Sequence, residues 1–167
     1  DFQPLLIEFY AARMRAKLGL ATEEEGDQQL CADLLQILQD GRVDYSAFFR
    51  ALSRYQGERP VSGLEALVAP GQHENLGHWL SRYDQRLQKE STTAQARSHA
   101  MLRVNPKFVL RNYLVQQVIE AAESGDYGPF ETLFMLLQAP FDEHPEFERW
   151  AAVPPESGKH LPISCSS

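Results

Sequence analysis

Apolar residues recur at three- and four-residue steps along almost the whole chain, and no stretch sustains the strict alternation of a half-buried strand. That regularity argues against a sheet and predicts an all-α protein of about eight helices. Phe2, Leu5, Leu6, Phe9, Tyr10, Met14 and Leu18 place a first helix with these side chains on one side, and Gly19 is its expected stop. Thr22 with Glu25 three positions later reads as a capping box for a second helix. Its stripe is Leu30, Cys31, Leu34, Leu35 and Leu38, and Gly41 is expected to close it in the left-handed conformation. Asp44 caps a third helix carrying Tyr45, Phe48, Phe49 and Leu52.

After a turn around Gly57 and Pro60, Leu64, Leu67 and Val68 mark one short helix before the breaker Pro70-Gly71. Leu76, Trp79, Leu80, Tyr83 and Leu87 define a longer helix, with Arg82, Arg86 and Lys89 expected on its wetter side. Thr92 or Thr93 caps another, carrying Ala96, Ala100, Met101 and Val104. Asn105-Pro106 reads as a helix start running to about Ser124 and closed by Gly125. Pro129 opens the next, with Phe130, Leu133, Phe134 and Leu137 inward and Pro140 as the stop. Pro145 begins a last short turn with Phe147 and Trp150. From Val153 onward Pro154, Pro155, Gly158 and Pro162 prevent a regular helix. The expected organisation is therefore a helical region over 1–152 and an extended, Pro-rich tail over 153–167.

Sixteen Lys and Arg against 23 Asp and Glu leave a net charge of −7, which argues against nucleic acid as a general partner. No apolar run approaches the roughly 18 residues of a membrane span, so no membrane partner is expected. Nine Phe and a 43% apolar content supply a core without staples. Two Cys are too few for a disulfide framework, which suits a reducing compartment. A start at Asp1, with neither Met nor leader, is what a piece of a longer polypeptide presents. Chemistry is then expected upstream.

No phosphate-cradling Gly-rich loop, H-E-x-x-H, C-x-x-C or G-x-S-x-G is present. The five His are scattered and read as surface groups. Glu23-Glu24-Glu25 suits a helix N-terminus, and Asp142-Glu143-His144 with Glu146 and Glu148 reads as a solvated acidic edge rather than a metal site. Asp40-Gly41-Arg42-Val43-Asp44 lacks the ligands of a calcium loop. Arg103, Lys107 and Arg111 recur at four-residue spacing, but bracing roles are favoured for them and for Asn105 and Asn112 over phosphate binding. Cys31 sits on an apolar stripe as a small hydrophobe, whereas Cys165, three residues from the end and flanked by Ser, is expected to be accessible.

The run Arg103-Val104-Asn105-Pro106-Lys107-Phe108-Val109-Leu110-Arg111-Asn112-Tyr113-Leu114 resembles a signature of the SelO/YdiU (selenoprotein O) family. Ala139-Pro140-Phe141-Asp142-Glu143, Asp44-Tyr45-Ser46-Ala47-Phe48-Phe49-Arg50 and the ending Ser164-Cys165-Ser166-Ser167 are similar to further family elements, in family order. The resemblance implies the C-terminal helical part of a protein-kinase-like fold. It implies a parent enzyme that transfers AMP from ATP to Ser, Thr or Tyr hydroxyls of proteins, with Mg²⁺ (or Mn²⁺) assisting attack on the α-phosphate. The nucleotide and metal sites would lie upstream, so no catalytic, cofactor-binding or metal residue is expected here. The implied partners are the protein's own N-terminal kinase-like domain and its protein substrates. Cys165 falls where eukaryotic members place selenocysteine, implying a redox role for the tail in a bacterial, cytoplasmic form, or a mitochondrial one in a eukaryote. The competing readings are a stand-alone helical interaction module and, more weakly, a thiol oxidoreductase.

Overall fold

The computed structural model describes residues 2–57 and 62–153, and every regular element among them is helical. Within the span 1–152 the contacts cluster into two compact units, one over Asp1–Asn105 and one from Pro106 onward. The first contains α1 (Phe2–Lys17), α2 (Asp27–Asp40), α3 (Tyr45–Leu52), α4 (Ser62–Glu65), α5 (His73–Leu87) and α6 (Ala94–Leu102), with a 3₁₀ turn at Pro70–Gln72 leading into α5. The second contains α7 (Asn112–Glu123), α8 (Gly128–Gln138), a 3₁₀ turn at Pro145–Phe147 and α9 (Glu148–Ala151). Pro154, Pro155, Gly158, Pro162 and Cys165 lie outside the described residues, as does Pro60.

In the first unit α2 packs along α5, and their apolar stripes enclose Leu34, Leu76, Leu80 and Tyr83 with Phe48 and Phe49 of α3. Trp79 stacks on Tyr83 with ring centroids 5.0 Å apart. Both polar handles reach a carbonyl: Trp79 Nε1 donates to Leu30 O at 2.8 Å and Tyr83 Oη to Leu18 O at 2.6 Å. The second core is smaller, built on Phe108, Tyr113, Leu114, Val118, Leu133, Leu136 and Trp150. Arg111 and Tyr113, at the start of α7, donate to the carbonyls of Ala151 and Ala152 at the end of α9.

Several local signals act as expected. Asp44 Oδ1 accepts from Ala47 N at 2.8 Å, Thr93 Oγ1 accepts from Ala96 N at 3.1 Å, and Gly125 ends α7 at φ 88°. Others do not. Thr22 makes no capping box: α2 starts at Asp27 behind Gly26 (φ 95°), and Asp27 Oδ2 instead accepts from Glu24 N at 3.0 Å. Gly41 is right-handed (φ −79°), and Arg42 is the left-handed residue (φ 48°). The bonds Val43 N to Leu38 O and Arg42 N to Gln39 O place the turn one position later than Gly41 implies. On α6 the buried positions are Arg97 and Met101, whereas Ala96 and Ala100 are exposed.

The expected helix from Asn105-Pro106 is also absent over 105–111, because Asn105 spends its side chain elsewhere and the amides of Lys107 and Phe108 both donate to Pro140 O, at 2.7 and 3.1 Å. On α8, Leu133 and Leu136 face inward, whereas Phe130 and Phe134 stack on each other in the open. Along α1 and the residue after it, Met14 and Leu18 of the expected stripe are buried, while Leu5, Leu6, Phe9 and Tyr10 stay 54–65% exposed.

Candidate functional site

Among the described residues, three convergences of polar side chains involve positions singled out above, two in the first unit and one in the second. At the junction of α3, α6 and α1, Asn105 is fully buried. Its Nδ2 donates to Lys17 O and Ser53 Oγ at 3.0 Å each, and its Oδ1 accepts from Lys17 Nζ at 3.1 Å. The backbone carbonyls of Leu102 and Asn105 accept from Arg50 Nη1 at 2.9 and 2.8 Å. Lys17 Nζ lies 5.3 and 5.2 Å from the ring centroids of Tyr45 and Phe49, a cation over two aromatic faces. Burial, then the nearby Arg13 charge, hold Lys17 below the ordinary lysine range. Asn105 therefore braces the irregular segment after α6 instead of opening a helix.

The second convergence corrects the expected wet face of α5. Arg86 is buried, with Nε 2.6 Å from Asp27 Oδ1, Nη2 3.2 Å from Asp27 Oδ2 and Nη1 2.8 Å from Glu90 Oε1. Its Nη2 also donates to Thr22 O at 2.9 Å. Glu90 accepts from the amides of Ala21 and Thr22 and from the Thr22 hydroxyl. Burial pushes the Glu90 carboxyl up, but the hydrogen bonds from Thr22, Arg86 and the two amides outweigh it and hold the group below its ordinary value. The pair ties the α1–α2 connection to the end of α5. Only the Arg86–Glu90 spacing of four hinted at it from sequence; Asp27 gave no signal.

The third convergence is Lys107 in the second unit. Its Nζ donates to the carbonyl of Glu143 and to the carboxylate of Glu148, with Glu143 Oε2 at 3.4 Å. The acidic segment is therefore partly cross-linked to Lys107, not simply a solvated edge, and its His144 takes a left-handed backbone (φ 37°). Glu23 and Glu24 are likewise paired, with Arg15 at 2.9 Å and Lys89 at 3.0 Å. Of the basic trio, Arg103 is exposed while Lys107 and Arg111 are buried and turned to the partners named above.

Cys31 is a buried free thiol that, with Ile7, Tyr10, Met14 and Leu35, lines a cleft of about 230 Å³. Burial, reinforced by the Asp27 charge, pushes the thiol up to about 11, so it stays protonated at neutral pH. Cys165 lies outside the described residues. Among the described residues no three His, Cys, Asp or Glu come close enough to hold a metal ion, and no helix is long and apolar enough to cross a membrane.

These convergences are structural braces, each closed on its own partners, in a chain whose sequence has close counterparts. The family model "Protein adenylyltransferase SelO" matches residues 1–138. Curated proteins named "Protein nucleotidyltransferase YdiU" match along essentially the whole chain. The one from Chromohalobacter salexigens is 47% identical over 100% of this chain and 33% of its own length. That from Stutzerimonas stutzeri is 45% identical over 99% of this chain and 34% of its own length. That from Aliivibrio salmonicida is 41% identical over 100% of this chain and 34% of its own length. The chain thus spans about a third of the length of the curated relatives it matches. With a family match over most of its residues and an identity sustained from end to end, the chain belongs to the SelO family.

Proposed function

We propose that this chain is the C-terminal helical portion of a protein nucleotidyltransferase that transfers AMP from ATP to Ser, Thr or Tyr hydroxyls of proteins. Within that enzyme it is a structural and regulatory part that supports an N-terminal kinase-like domain, in a cytoplasmic protein. The observation that carries the reading is the end-to-end similarity to proteins named protein nucleotidyltransferase, of which this chain spans a third. In this reading no ATP or Mg²⁺ site is expected among the described residues. Asp27 and Glu90 are spent on Arg86, Glu148 on Lys107, and no three potential ligands converge. Nucleotide and metal therefore belong, in this reading, to the rest of the enzyme.

Titrating the chain with ATP and Mg²⁺ in a calorimeter is expected to give no saturable binding. The full-length protein is expected to label protein from α-labelled ATP. Saturable binding by the chain, or no label transfer by the full-length protein, would overturn the assignment.

The tail thiol Cys165 is proposed as a redox element, supported by its place in the ending Ser164-Cys165-Ser166-Ser167 and by the burial of Cys31. Under native conditions a thiol reagent should modify Cys165 at least about 100-fold faster than Cys31, whose raised pKa and enclosure suppress the thiolate. Equal protection of both thiols would remove the redox role.

A further inference from the structure

The helix α1 is apolar on more of its circumference than the first unit covers. At 100° per residue, Leu5, Phe9, Leu6, Tyr10 and Ile7 span an arc of about 200° over residues 5–10, with Glu8 outside it, far wider than the stripe of about 100° that serves one core. Burial begins only further along the chain, at Met14 and Leu18. All five side chains of the arc are open: Leu5 is 65% exposed, Ile7 64%, Phe9 63%, and Leu6 and Tyr10 54% each. A helix apolar over most of its girth is one enclosed by protein on more than one side.

Resting on the reading that this chain is part of a longer enzyme, we propose that the open face of α1 is the surface on which the rest of that polypeptide docks. The contact is apolar, centred on Leu6 and Phe9. About two thirds of the length of the matched relatives lies outside this chain, ample to supply the cover. A second copy is the poorer occupant, since each copy carries a net charge of −7 and like-charged copies repel. The cleft beside Cys31 continues the face: Ile7 and Tyr10 line both.

Hydrogen exchange tests this without any substitution. In the full-length protein the amides of residues 6–10 are expected to exchange at least about 100-fold more slowly than in this chain alone. The double variant Leu6→Asp, Phe9→Asp in the full-length protein should remove at least about tenfold of that protection. Equally fast exchange in both proteins overturns the proposal. So does a dimer of this chain that the double variant dissociates, and so does binding of this chain to anionic phosphatidylglycerol vesicles through α1. Label transfer from α-labelled ATP is read on the same full-length sample. Protected α1 amides without transfer keep the docking face and sink the enzymatic reading; transfer with unprotected amides does the reverse.

Discussion

Glu90 shows how a single side chain was hidden in the sequence and what it does once seen. It reads as one more acid after a helix, yet it accepts four hydrogen bonds, from the amides of Ala21 and Thr22, the Thr22 hydroxyl and Arg86. Burying a carboxylate costs free energy that only this full set of donors offsets. Glu90→Gln removes the charge and is expected to cost about 1–3 kcal/mol at pH 7, read from urea unfolding. The pH sign follows from the depressed carboxyl. Its contribution is present above the ordinary glutamate pKa of about 4.3 and is lost as pH falls through the lower folded value. Wild type and variant should therefore converge in stability as pH drops from about 5 toward 3. A gap that stays constant across that range would mean Glu90 acts by packing alone. Asp27 is of the same class, silent in the sequence because its partner Arg86 is 59 positions away; the bracing role expected of Asn105 is met, but its partner Lys17, 88 positions away, was not foreseeable.

Helix ends were legible where the signal is local and lost where a neighbour decides. Asp44 and Thr93 cap as their sequence context implies, because the acceptor and the free amide lie within three residues. The end of α2 is different. Gly41 looks like the left-handed residue, but its amide still bonds Ile37 O at 3.0 Å, and the turn is completed by Val43 N on Leu38 O, leaving Arg42 at φ 48°. Gly41 is tight for another reason: an added Cβ would stand 3.1 Å from Ile37 O and 3.0 Å from Val43 Cγ2. A non-glycine residue in that region carries a backbone cost of about 1–2 kcal/mol. Arg42→Gly is therefore expected to stabilise the chain by about 0.5–1 kcal/mol, the relief being partly offset by the extra freedom of glycine in the unfolded chain. Unchanged or lower stability in denaturant melts would show that the Arg42 side chain supplies something its backbone does not. The same logic explains α1 and α8. Periodicity identified both helices, but it reports how apolar a face is, not whether this chain covers it, so Leu6, Phe9, Phe130 and Phe134 looked like core and are not.

At the scale of the molecule, the all-helical class followed from the spacing of apolar residues, whereas the division at Asn105 did not. Asn105-Pro106 carries the residue types of a helix start, and only the long-range bonds of Asn105 and the double use of Pro140 O reveal a boundary there. Two separate cores result, and they differ in size. Among the described residues the first gathers nineteen buried apolar residues and the second seven. Leu136 is fully enclosed in the smaller one. Truncating it to Ala removes buried methyl groups and leaves a cavity, a cost of about 2–5 kcal/mol. Because native domains are stable by only about 5–15 kcal/mol, that loss falls heavily on a core of seven side chains. Leu136→Ala should then speed hydrogen exchange of the α7 and α8 amides by about 30-fold or more while leaving α2 and α5 near their wild-type rates. Loss of protection in all four helices together would show that the two cores unfold as one cooperative body, and that the boundary at Asn105 is geometric rather than energetic.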